Sequence, residues 1–169
     1  DGIKTPLGID QSGGNQNTWS VVQVSPTILL LSGSTATGTD TQNGVGAVRV
    51  VDISDPRNMQ LVRDLQIPGT VHVLDVAVSG NRALLTASQG GLADLTTDFP
   101  FTGNVVLATL NISDPANPQI IHQQTLDRSA RGVDHATTLG NGLYAIANLG
   151  ASTDQPGLFI VDATDPNNL

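Results

Sequence analysis

One pattern occurs three times along this chain and governs how it can fold. It reads Val50-Val51-Asp52-Ile53-Ser54-Asp55-Pro56, then Thr109-Leu110-Asn111-Ile112-Ser113-Asp114-Pro115, then Ile160-Val161-Asp162-Ala163-Thr164-Asp165-Pro166. Each copy is an apolar strand running into a turn. Asp accepts a hydrogen bond from the backbone two residues on, and Pro fixes φ for the bend. Asp55, Asp114 and Asp165 are each expected to accept an amide within their own turn. A second echo accompanies the first. Val76 to Leu85 is a strand, a Gly80-Asn81 turn and a strand; Ala136 to Ala147 repeats it around Gly140-Asn141-Gly142; Val22 to Leu31 is a divergent copy around Pro26-Thr27. Short Gly, Asn and Pro loops between apolar runs are hairpin signals.

Composition agrees with strands and turns. All 15 acidic residues are Asp, Lys4 is the only lysine, and there are 18 Gly and 9 Pro. Glu and Lys are residues that helices recruit readily, and Gly and Pro punctuate short elements, so a helical bundle or coiled coil is excluded. At 38% hydrophobic residues the chain is not disordered. A formal net charge of -8 with seven scattered bases argues against nucleic acid as a partner. No apolar run approaches the roughly 20 residues of a membrane helix, so no membrane insertion is expected. Zero cysteines remove a disulfide framework, a thiolate metal site and a Cys nucleophile. The chain opens at Asp1 without Met, which suggests removal of a leader or upstream sequence. Low Lys, no Glu and abundant Thr, Asn, Gln and Gly fit a bacterial exported protein, either secreted or at the cell surface.

Combining the two echoes gives a unit of strand, Gly/Asn hairpin, strand, long loop, strand, Asp-Pro turn, strand. The fold class is therefore all-β: four-stranded antiparallel meanders of the kind that form β-propeller blades, with a β-sandwich as the alternative. Strands are expected near 20–25, 28–32, 47–53, 60–67, 73–79, 82–88, 104–112, 119–126, 133–138, 143–148 and 157–163. The stretches Val51 to Pro56 and Val76 to Ala83 resemble the bacterial LVIVD-repeat β-propellers, whose hallmarks are a "VDxSDP" strand end and a "VAVSGN-aY" hairpin. Leu110 to Pro115 and Ile160 to Pro166 match more loosely, and the loops between second and third strands are longer than the family's. The resemblance covers most of residues 19–169. It implies a propeller fold and leaves function open, because the family itself is functionally ill-defined.

The expected organisation is a polar lead over residues 1–18 followed by repeats over about 19–70, 71–130 and 131–169. Closed propellers carry about four to eight blades, so about three blades make an incomplete ring. Leu169 aligns with Met59 and Pro118, directly before the strands that begin at 60 and 119, so the last unit lacks its fourth strand. The material is then a fragment of a longer propeller, or a subunit completed by a strand from another protein or another copy of the chain.

Blade geometry sorts the loops by face. The Gly-Asn and Asp-Pro turns are short, whereas Ser32–Gly46, Ser88–Gly103 and Asn148–Gly157 are long loops on the opposite face, where binding usually sits. The same face receives the starts of the first strands, which read Val71-His72-Val73-Leu74-Asp75 and Arg131-Gly132-Val133-Asp134-His135. Counting back from Gly80 and Gly140 aligns Asp75 with His135. Binding candidates are thus His72, Asp75, Arg131, Asp134 and His135. Imidazole and carboxylate together suit a divalent metal or a proton-transfer pair, so His72, Asp75, Asp134 and His135 are also the catalytic candidates. The competing reading gives these residues a structural role, hydrogen-bonding the neighbouring blade.

Other features carry less. Asp40 to Gly44 lacks the spacing and the distal Glu of a calcium loop. Asn111-Ile112-Ser113 fits a glycosylation sequon but coincides with the repeat. His122 is expected to be exposed at a blade's outer edge, and Trp19 to fill the core between blades. No nucleophile elbow, phosphate loop or dinucleotide fingerprint is present. The leading reading is a non-catalytic binding or structural module with no cofactor. The alternatives are a metal-dependent hydrolase and an assembly subunit.

Overall fold

A computed structural model describes residues 18–35, 44–90, 103–130, 133–148 and 157–169. These contain eleven strands and no helix. They are β1 Thr18–Ser25, β2 Ile28–Ser34, β3 Gly46–Asp52, β4 Gln60–Gln66, β5 His72–Ser79, β6 Arg82–Ser88, β7 Asn104–Asn111, β8 Gln119–Ser129, β9 Val133–Gly140, β10 Leu143–Asn148 and β11 Leu158–Asp162. They form three antiparallel sheets, ordered β1-β2-β3-β4, β5-β6-β7-β8 and β9-β10-β11. Each strand pairs with its sequence neighbour, as a meander of short turns requires. The sheets have the form of propeller blades, and the ring is not closed.

Two cores hold the blades together, and alternation along the strands assigns each side chain to one of them. Leu84 and Leu85 are adjacent in β6 and fully buried. Successive strand residues point to opposite faces. Leu85 therefore joins Leu30, Val48, Val50, Val76 and Val106 between the first and second blades. Leu84 joins Leu74, Leu107, Tyr144, Ile146 and Val161 between the second and third. The central blade is buried on both faces, which is why β6 and β7 read as nearly continuous apolar runs. The third blade buries one face only. Leu139, Leu158 and Ile160 stay 56%, 59% and 54% exposed.

The Asp-Pro turns repeat atom for atom. Asp55, Asp114 and Asp165 accept the amides of Arg57, Ala116 and Asn167 at 3.0, 3.2 and 3.0 Å. Three positions earlier, Asp52, Asn111 and Asp162 do the same for Ser54, Ser113 and Thr164 at 2.7, 2.9 and 3.0 Å. Two consecutive Asx turns thus satisfy amides that leave the ladder. Asn111 performs this task in the place of an Asp, which accounts for the sequon-like triplet. The carbonyls of Thr27, Asn81 and Gly142 accept the amides of Ile53, Ile112 and Ala163, each at 2.8 Å, and tie every hairpin to its Asp-Pro turn.

The connection between the first two blades depends on Gly46. Its N–H donates to the Thr70 carbonyl at 3.0 Å, and its own carbonyl accepts from Ile67 at 2.8 Å. A Cβ there would collide with Thr70 Oγ1 and lie 3.0 Å from the His72 carbonyl carbon. Only glycine allows β3 to approach the chain entering β5 so closely.

Two expectations need correction. Ser32 is not a loop residue: β2 continues to Ser34, and Ser32 is buried within it. His122 is not simply exposed. It is half-buried in β8, opposite Thr109, whose hydroxyl reaches the Pro166 carbonyl of the third blade. The lead 1–17, Asp40, most of the three long loops and the Trp19 side chain lie outside the described residues.

Candidate functional site

The site begins with an irregularity in β5. His72 and Val73 oppose Ser88 and Ala87, but Asp75, not Leu74, opposes Thr86. This bulge sets two consecutive residues toward the third blade, because an extra residue in one strand suspends the alternation. Leu74 enters the core shared with that blade, and the Asp75 carboxylate reaches across to it.

Asp75 is buried, with its side chain 4% exposed, so its oxygens need donors. Oδ1 accepts the Val76 N–H at 2.8 Å. Oδ2 accepts the Ala136 N–H of β9 at 2.7 Å and lies 3.0 Å from His135 Nδ1. With Asp75 ionised the carboxylate only accepts, so Nδ1 carries the shared proton and Nε2 is left for solvent. The His135 side chain is 81% exposed. One partner of the pair is therefore a buried interblade clamp, and the other is a ring resting on it at the surface.

The remaining candidates divide. His72 is 0% exposed and lies opposite Ser88, where the Val71 N–H reaches the Ser88 carbonyl at 2.8 Å. Asp134 follows Val133 in β9, but its side chain lies outside the described residues, as does Arg131. Asp75 and His135 are thus brought together, while His72 is enclosed in the same strand as Asp75. Among the described residues no group of three His, Cys, Asp or Glu side chains is arranged to hold a metal ion.

Other residues join the blades without having been expected to. Ser32 Oγ accepts the Ser20 amide at 2.9 Å and donates to the Leu74 carbonyl of the second blade at 3.2 Å. Register places Thr86 at the corresponding position of the second blade. The Thr86 hydroxyl is buried without a hydrogen-bond partner, and the adjoining junction with the third blade is carried by Asp75 instead. Thr109 Oγ1 donates to the Pro166 carbonyl at 2.7 Å, and Arg63 donates to Asn117 Oδ1. His122 and Arg63 occupy one repeat position, opposite Thr109 and Val50, and Arg63 reaches the next blade's Asp-Pro turn. Superposing the repeats on paper would have shown these as equivalent positions.

Comparison with known families matches one stretch of the chain. The family described as LVIVD repeat matches residues 44–66. Residues 44–66 are similar to an LVIVD repeat. The matched stretch covers β3, the Asp52–Asp55 double turn and β4, the outer half of the first blade. The LVIVD repeat is a β-propeller-associated repeat, and the blade-like sheets agree with it. No curated protein matches the chain.

Proposed function

We propose that this LVIVD-repeat chain is a non-catalytic binding or structural module of a secreted or surface-exposed bacterial protein, engaging protein partners by strand addition at the third blade. The observation that carries this reading is β11. Among the described residues its sheet has three strands where the other two have four, and β11 is the edge of those three. Leu158 and Ile160 stand exposed on that edge, beside Leu139 on the same blade. A strand edge presents unpaired N–H and C=O groups, a template on which an extended segment can pair.

The repeat states what the added strand resembles. β4 and β8 begin with Gln60 and Gln119, whose side-chain amides donate to Asn58 Oδ1 and Asn117 Oδ1 at 2.8 and 2.9 Å. Asn168 occupies the equivalent place after the third Asp-Pro turn. A strand opening with Gln and alternating apolar and polar residues would complete the blade. It can belong to further sequence of the same protein, to a second copy or to another protein.

The Asp75–His135 pair gives less support to a hydrolase, because three groups already engage the carboxylate. Binding of a labelled peptide with the sequence of residues 60–66, followed by fluorescence anisotropy, tests the proposal. Saturable binding that Ile160→Asp abolishes is expected. Absence of binding together with a monomeric state at all concentrations would refute strand addition.

A further inference from the structure

The face bearing the tight turns holds a cleft of about 250 Å³ between the second and third blades. Arg82 and Asn81 line it from one side, Asn141, Gly142 and Thr164 from the other, and the buried Tyr144 forms part of its wall. We propose that this cleft binds the carboxylate group of a small ligand, with Arg82 as its anchor.

Arg82 is the first residue of the strand that follows the hairpin, and the same position holds Ile28 in the first blade and Leu143 in the third. A blade therefore needs no cation there, since Ile28 packs into the core at that point. Arg82 is a departure from the scaffold that places a cation in a concave site. Tyr144 is a second departure, matching Ala83 and Leu29 in the other blades.

The guanidinium has capacity to spare. It offers five N–H donors in a planar fork. The described contacts use Nη1, which donates to the Thr164 carbonyl at 3.2 Å and holds the side chain across the cleft. No carboxylate among the described residues lies within ion-pair distance of Arg82. Asp165 is the nearby acid that feels its charge, but its carboxylate is held by the Asn167 amide and side chain at 3.0 and 3.1 Å. Asn141 and its glycine neighbours take positive φ of 89°, 52° and 79° in succession. A Cβ at Gly142 would lie 2.9 Å from Thr164 Cα, so glycine sets how closely the hairpin packs on the Asp-Pro turn within that wall.

These groups select a class of ligand. One Arg fork with neighbouring side-chain amides suits a planar carboxylate, which accepts two parallel N–H bonds. A phosphate dianion is disfavoured by the single cation and by a chain of net charge -8. The cleft's volume falls below the roughly 300 Å³ lower range for drug-sized ligands, so it suits one terminal group of a molecule. A peptide C-terminus and a sugar acid both provide that chemistry.

Amide and Arg Nε–H chemical shifts, followed by titration of the full chain, test this. The probes are N-acetyl-Ala-Ala with a free carboxylate, its C-terminal amide, glucuronate, glucose and inorganic phosphate. Saturable shifts at Asn81, Arg82, Asn141 and Gly142 are expected with at least one carboxylate, and which one responds identifies the source. The amide and glucose should leave them unmoved. Arg82→Leu, which installs the third blade's own residue, should weaken binding by at least about tenfold, the loss corresponding to a charge-assisted hydrogen bond. If Arg82→Leu does not fold, Arg82→Lys keeps the charge without the fork and should still bind more weakly. Absence of saturable shifts with both carboxylates overturns the proposal. So do shifts retained in the folded Arg82 variant, shifts of equal size with the amide, or tighter binding of phosphate.

Discussion

Asp75 and His135 occupy the same position in successive blades, yet their side chains meet, with Oδ2 and Nδ1 3.0 Å apart. Equivalent residues of a repeat ordinarily sit one blade apart and point the same way. Each follows a bulge, at Leu74 in β5 and between Val133 and His135 in β9, and the first of these directs Asp75 toward β9, where it also takes the Ala136 amide. The carboxylate thus does for the junction of the second and third blades what the Ser32 hydroxyl does for the junction of the first and second.

This arrangement makes the two partners unequal. Asp75→Ala would leave buried amides unsatisfied and should lower stability by about 1–3 kcal/mol. His135→Ala removes an exposed partner and should cost less than about 1 kcal/mol. Urea unfolding of the two variants measures the difference. Equal losses would mean that the imidazole contributes to the clamp as much as the carboxylate.

Gly46 gives a second prediction. Gly46→Ala drives a methyl group into Thr70 and the His72 backbone. Overpacking of this kind costs about 1–3 kcal/mol. Thermal unfolding should show the loss, and the double variant Gly46→Ala, Thr70→Ala should recover part of it. Failure to recover any would place the strain on the backbone of His72 alone.

The strand pattern was legible because alternation and turn chemistry are local. It accounts for all eleven described strands, and only their ends differ, as with β2, which runs two residues further to Ser34. The double Asx turn is half-legible: the Asp-Pro pairs mark Asp55, Asp114 and Asp165 as turn residues, whereas Asp52, Asn111 and Asp162 read as strand ends. What the sequence hid was contact between blades. Nothing within β7 shows that the Thr109 hydroxyl reaches the turn of the next repeat. The alignment of Asp75 with His135 was visible, but their contact depends on a bulge with no Gly or Pro to announce it.

Acid provides a third test. Hydrogen bonds from Ser54 hold the Asp52 carboxyl below its ordinary pKa of 3.8, and those from Thr164 do the same for Asp162. A depressed folded pKa gives stability that is present above the unfolded value and lost as pH falls through the folded one. Unfolding midpoints should therefore drop on acidification below 3.8. Asp52→Asn and Asp162→Asn, copying Asn111, should keep the turn and flatten this part of the profile. An unchanged acid limb in both variants would assign the loss to other carboxylates.

Tyr144, the only tyrosine, reports the alkaline side. Burial raises its phenol above the ordinary value of 10.0, and the Arg82 charge opposes the rise. The contribution of the buried neutral ring is present below 10.0 and lost as pH climbs through the folded value. Tyrosinate absorbance should appear above 10.0 in the folded protein, and later still in Arg82→Leu. Ionisation at or below 10.0 while the fold persists would contradict this burial.

Strand addition at the third blade is most directly tested by hydrogen exchange of β11, Leu158–Asp162, measured at low and high protein concentration and with the peptide of residues 60–66. An antiparallel edge strand bonds through alternate residues to its one neighbour and leaves the others facing outward. The outward amides of β11 should exchange rapidly in the dilute monomer and become protected when a second copy or the peptide pairs with them. Full protection of Leu158–Asp162 in the isolated monomer, unchanged by concentration or peptide, would show that the edge is already closed and would contradict the account.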